Sequence, residues 1–187
     1  MCPQYTPPVL RAEAGALGPP ADGMWYSPPR HLGKIDLNWN AAPSVETGRE
    51  IMQIIEGGCL CSAIRLRIAG APIYSSICHC ATCRRASSAP TVAWLTFDRS
   101  QVEILTGHPC TYRSSQGVVR QFCGTCGSQL SYASAESPST IDITTASLDN
   151  PNLFPPTSEV WLEHRVSWQA PNQALEQYPR STLWPGS

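Results

Sequence analysis

Three thiols fall within six residues at Cys78, Cys80 and Cys83, in the run CHCATC, and Arg84 and Arg85 follow directly. In an extended segment alternate side chains share a face, so Cys78 and Cys80 point one way and His79 the other. After a short turn Cys83 can return to the same point. Two more pairs stand apart in the chain: Cys59 and Cys61 as CxC in GGCLC, and Cys123 and Cys126 as CxxC in FCGTCG. Clustered thiols at these spacings read as metal ligands, and an odd total of nine cysteines suits a disulfide framework poorly. Cys2 and Cys110 lie outside the clusters and read as a free terminal thiol and a small, partly buried apolar residue.

The spacing divides the ligands between two ions. A CxxC turn followed by glycine, here Gly127, is one half of a structural zinc site. The CxC of Cys59 and Cys61, on a strand face, can supply the other half. Such a four-cysteine tetrahedron contributes its binding energy directly to folding. Cys78, Cys80 and Cys83 are then left with three thiolates and an open fourth position. With zinc that site carries a formal charge of about −1, a poor Lewis acid that suits a soft incoming thiolate better than hydrolysis. Alternatively His79 or Cys110 closes a second four-ligand site. Thiols alone also fit an iron centre, which would colour the protein. Arg84 and Arg85 have two readings: a solvated basic pair, or guanidinium groups that favour the thiolates and grip a ligand's carboxylate. Glu163 and His164 read as structural.

The chain that must position these groups has 187 residues, 42% of them hydrophobic and 14% charged, enough for one domain with a real core. A net charge of −1 gives no reason to expect nucleic acid or an anionic membrane as partner. No apolar run of membrane-spanning length and no leader is visible, so the expected location is intracellular, in the cytoplasm. Residues 1–50 are proline-rich and read as a largely irregular extension, with Trp25 and Trp39 as possible anchors on the domain surface. The domain is expected over 51–187. Gly57 and Gly58 allow a close backbone approach before Cys59. Ile64, Leu66 and Ile68 alternate with Arg65 and Arg67 as a half-buried strand. Further strands are expected near 73–77, 91–97, 102–105, 139–145 and 159–168, with a hairpin around Gly117 and a short helical turn over 81–88. The fold class is therefore mainly β, with little helix.

The segments GGCLCSAIRLRI, CHCATCRRASSAPTVAWLTF, RQFCGTCGSQLSY and IDITTASLDNPNLFPP, with a late EVWLEHRVSW, resemble the family of the glutathione-dependent formaldehyde-activating enzyme and centromere protein V. The resemblance runs from about Gly57 to Tyr178. It implies small coiled antiparallel sheets built on zinc-bearing hairpins, with two zinc ions per chain. It assigns a structural zinc to Cys59, Cys61, Cys123 and Cys126, and a catalytic one to Cys78, Cys80 and Cys83. The implied reaction is that of a carbon–sulfur lyase on a small thiol adduct of the glutathione hemithioacetal type. The centromere branch implies the competing reading, a non-catalytic zinc module acting through contacts with other macromolecules. Two departures stand out: family members often carry glycine where this chain has Ser62 and Ser88.

Overall fold

The alternation around Leu66 does produce a strand buried on one face. In the computed structural model, which describes residues 53–181, it is β2 (Arg65–Ala69), lying between β1 (Ile54–Gly58) and β5 (Val102–Thr106) in an antiparallel three-stranded sheet. The expectations for residues 1–50, for Ile51 and for Cys2 lie outside the described residues. The remaining strands are β3 (Tyr74–Cys78), β4 (Val92–Asp98), β6 (Cys110–Ser115), β7 (Val118–Phe122), β8 (Gln129–Ser134), β9 (Thr140–Thr144), β10 (Ser158–Val160) and β11 (Glu176–Gln177). They form one larger sheet in the order β11-β10-β3-β4-β9-β8-β7-β6. The single α-helix among the described residues is α1 (Ala81–Ser87). The fold is mainly β with little helix, as the patterning implies.

The two faces of β4 and β9 have different tasks. Leu95 and Phe97 on β4, with Ile141 and Ile143 on β9, pack against Ile55, Leu66 and Ile68 of the small sheet to make the main core. Each such side chain stabilises the fold by roughly 1.5–3 kcal/mol. The residues between them, Trp94, Thr96 and Asp142, must point the other way, and they line a cavity instead of facing bulk water. Gly57 and Gly58 serve the core side: a Cβ at Gly58 would lie 2.3 Å from the Ile64 carbonyl oxygen, and one at Gly57 2.6 Å from that of Ser147. The close approach expected there is therefore made to neighbouring backbone.

The structure corrects three expectations. The alternation from Glu159 to Trp168 does not give one strand: β10 ends at Val160, opposite Cys78, where β3 itself ends. Trp161 then turns the chain with φ 61°, and Leu162–His164 is a 3-10 helix. Second, the larger sheet is not wholly antiparallel, because β10 runs parallel to both β3 and β11. Third, β8 and β11 were not foreseen, although Leu130 and Tyr132 alternate with polar residues in β8.

Ser62 and Ser88 both hold positive φ, at 60° and 54°. Ser88 ends α1, whose other end is capped by Cys80 Sγ accepting from the Cys83 amide at 3.3 Å. A side chain in this left-handed region costs about 1 kcal/mol that glycine avoids. Both serines are exposed, so little else is lost on substitution. Ser88→Gly and Ser62→Gly are each expected to raise Tm, by roughly 2–4 °C, in a calorimetric scan of the metal-loaded protein. A fall in Tm for both would contradict the strain.

Candidate functional site

Each expected cluster forms. The ligand atoms of Cys59, Cys61, Cys123 and Cys126 lie within 4.8 Å of one another, and so do those of Cys78, Cys80 and Cys83. The first group joins the β1–β2 turn to the β7–β8 turn. Its two turns close alike, the Cys59 amide donating to the Ile64 carbonyl at 3.1 Å and the Cys123 amide to the Ser128 carbonyl at 2.9 Å, while backbone amides also reach the sulfurs, Ile64 to Cys59 Sγ at 3.2 Å and Thr125 to Cys123 Sγ at 3.4 Å. The Leu60 amide donates to Ser128 Oγ at 3.0 Å and clips one turn to the other. Sulfur atoms are 3.5 Å apart for Cys59 and Cys61 and 3.7 Å for Cys61 and Cys123. Around a tetrahedral zinc with bonds of about 2.3 Å, neighbouring sulfurs stand about 3.8 Å apart, so the donor set fits such an ion.

Thiols this close cannot ionise independently. The Ala63 amide lowers Cys61, but desolvation and the thiols of Cys126, Cys59 and Cys123 carry it up to about 12. Desolvation raises Cys126, yet the Ser128 hydroxyl, nearby amides and Cys61 bring it down to about 5. In the trio, hydrogen bonds from Cys78 and Cys83 lower Cys80 to about 2, while Cys78, donating to Cys80, is pushed far up. In the trio Cys80 thus becomes the anion while Cys78 and Cys83 are raised, and in the four-cysteine group Cys123 is lowered along with Cys126. A divalent cation would replace the remaining protons.

His79 sits between two trio ligands but takes no part. It is fully buried, and its Nε2 meets Glu159 Oε1 at 3.2 Å. Glu159 also accepts from the Asn172 amide at 2.9 Å, which fixes the loop to the C-terminal strands. Cys110 is buried at the start of β6 and belongs to neither group. Neither proposed fourth protein ligand joins the trio. The three cysteines instead line a cavity of about 580 Å³.

Arg84 and Arg85 do not line that cavity: Arg84 donates to the His164 carbonyl at 3.0 Å, and Arg85 is exposed on α1. The guanidinium at the trio belongs to Arg120, on β7. It is 4% exposed, donates from Nη2 to Cys83 Sγ at 3.5 Å and from Nε to Ser114 Oγ at 3.2 Å, and lies 5.0 Å from the centre of the Tyr132 ring. Strand register explains how it gets there. Arg120 pairs with Tyr132, Tyr132 with Asp142, Asp142 with Thr96 and Thr96 with Tyr74, giving one row across five strands. All five line the cavity. Thr96 Oγ1 donates to Asp142 Oδ1 at 2.6 Å. Burial still pushes the Asp142 carboxyl up, to about 6, against the lowering pulls of Thr96 and Arg120. A raised carboxyl favours folding below about pH 4 and loses that benefit as pH rises through about 6. Folding with Asp142 ionised therefore carries a cost.

These residues were not singled out in the sequence, and Tyr132 and Arg120 are signalled only by their adjacency to the CxxC turn. His164 does reach the cavity, stacked on Trp161 with ring centres 5.4 Å apart. Among the described residues no helix is long and apolar enough to cross a membrane.

The model of the glutathione-dependent formaldehyde-activating enzyme family matches residues 54–164, which hold all seven clustered cysteines. The chain belongs to this family. An uncharacterized lyase of Schizosaccharomyces pombe is similar, 37% identical over 78 residues, or 42% of this chain and 56% of that protein. The match thus spans little more than half of the yeast relative. A crystal structure of a Rhodobacter sphaeroides protein aligns with 52% of this chain and 92% of its own, at 22% identity and a TM-score of 0.45. In this family member the cysteines of both groups could hold metal, and the trio stands at the wall of the 580 Å³ cavity.

Proposed function

We propose that the protein is a zinc-dependent carbon–sulfur lyase acting on the adduct of a small thiol with an aldehyde, of the glutathione hemithioacetal type. The observation that carries this reading is the trio's position: three sulfurs converge at the cavity wall while His79 is turned into the core. Cys59, Cys61, Cys123 and Cys126 would hold a structural zinc, and Cys78, Cys80 and Cys83 a second with its fourth position open. A zinc ion there would hold the substrate sulfur as thiolate, since coordination strongly favours deprotonation. Family membership and a lyase-named relative support the reaction class.

In the cleavage direction the hemithioacetal hydroxyl passes its proton to solvent, the carbonyl forms, and the carbon–sulfur bond breaks with its electron pair passing to sulfur. The chain's part is to bind, orient and exclude water. Trp94, Tyr132 and Trp161 supply apolar walls next to the trio. Arg120, donating to Cys83, offsets the negative charge that accumulates when a fourth thiolate arrives.

Cobalt substitution tests the reading, because tetrahedral cobalt–thiolate absorption responds to a change of ligand. Two cobalt ions per chain are expected, with a chelator removing one well before the other. Glutathione is expected to shift the visible spectrum of the two-cobalt protein. No response to any thiol would sink the lyase reading and leave a structural zinc module.

A further inference from the structure

The cavity has two chemically different ends. At one, the trio meets Arg120. At the other, Asp142 and Glu136 face the same space. Among the described residues no lysine or arginine nitrogen comes within ion-pair distance of Asp142; Arg120 acts on it only at longer range, with Nε on Ser114 and Nη2 on Cys83. Thr96 is the one hydrogen-bond donor that the described residues give its side chain, and it uses Oδ1 alone. Carboxylates removed from water are normally paired. This one is half-buried beside a cavity with one oxygen left over.

Distance decides what it can do. Cys78 is paired with Val92 and Asp142 with Thr96, on the same strand and the same face, with Trp94 between them. At about 3.3 Å per residue along β4, and about 4.8 Å per strand from β3 across β4 to β9, the two Cα positions are about 16 Å apart. Proton transfer needs about 3 Å between heavy atoms, so Asp142 cannot serve a carbon bonded to a sulfur held at the trio. It can hold the far end of the same molecule.

We propose that Asp142 determines specificity by receiving a protonated amine carried at the end of the substrate remote from its sulfur. The inference rests on the thiol-site reading above and narrows the substrate class to extended aminothiols. A short thiol could reach only one end of the cavity. Glutathione carries its free amine about eight bonds from its sulfur, roughly 10 Å when extended; a metal–sulfur bond of about 2.3 Å at one end and an amine–carboxylate contact of about 3 Å at the other bring its reach to that separation.

The test uses the two-cobalt full chain, titrated with glutathione and with its N-acetyl derivative, which keeps the chain and loses the cation. The wild-type protein is expected to bind glutathione at least tenfold more tightly than the acetylated form. In the near-isosteric Asp142→Asn that preference is expected to collapse to within about twofold, through weaker glutathione binding rather than stronger binding of the derivative. Asp142→Ala gives a second reading of the same quantity if the amide variant does not fold. Equal affinities in the wild type, or a preference retained in both variants, overturns this inference alone. Silence towards both thiols overturns the thiol-site reading and this inference with it.

Discussion

Cys123→Ser is expected to lose its cooperative thermal transition or to fall out of solution, whereas Cys80→Ser keeps a transition within a few degrees of the parent. The four-cysteine group joins the small sheet to the β7–β8 turn, and its sulfurs pack with Ile64 and Leu130 in a core cluster of their own. Cys123 is 1% exposed, so a serine there would bury a hydroxyl besides weakening the ion. Binding energy at a structural zinc is folding energy, of order 10 kcal/mol for a whole site, comparable to the total stability of a domain. Cys80 is a partly exposed member of a cavity-side group, in a helix cap rather than between sheets. Its loss should show in thiol binding first. Calorimetry of both variants checks this, and equal losses of Tm would refute the division into structural and reactive ions.

Arg120→Met is expected to weaken thiol binding by at least tenfold while leaving Tm unchanged or raised. Zinc with three thiolates bears about −1, and a bound substrate thiolate makes it −2; Arg120 is the buried cation that opposes this. A hydrogen bond to a charged group is worth about 1.5–3 kcal/mol, which corresponds to a factor of roughly 10 to 150. Stability responds differently, because a desolvated guanidinium is costly to bury and methionine fills similar space at less cost. Arg120 Nη1 is buried with no partner among the described residues, which adds to that cost. Thiol titrations of the cobalt protein, set beside a thermal scan, separate the two effects. Unchanged affinity with lowered Tm would make Arg120 a structural residue.

The two cysteine groups were legible because their geometry is local. A CxC, found in the β1–β2 turn and not on the strand face expected, a CxxC turn and a CHCATC run specify their own turns, and the trio's orientation follows from strand alternation through Cys78 and Cys80. The short helix over 81–87 and the hairpin around Gly117 were legible for the same reason. Arg120, Tyr132, Asp142 and Thr96 were not, because β7, β8, β9 and β4 bring them into one row only through register. In the sequence Asp142 is simply the polar residue between Ile141 and Ile143, and period-two patterning cannot tell a solvent face from a cavity face. Arg84 and Arg85 attracted attention by lying next to Cys83, yet the residue that touches Cys83 comes from 37 positions further along the chain. The late strand failed where Trp161 turns, at the point where its partner strand ends.

The position of β10 has a consequence for the protein while it is being made. Its partner β3 is complete about eighty residues before Ser158 is added, and at roughly 5–20 residues per second that is a delay of roughly 4–16 s on the ribosome. Through that interval the outer edge of β3 offers unpaired backbone groups, and the carboxylate that will meet His79 does not yet exist. Parallel pairings between distant segments also form slowly, and open edges invite pairing with other chains. The nascent chain therefore passes through a window in which the strand that leads into its three clustered thiols is unprotected, and the rate of translation through residues 79–160 sets how long that window lasts.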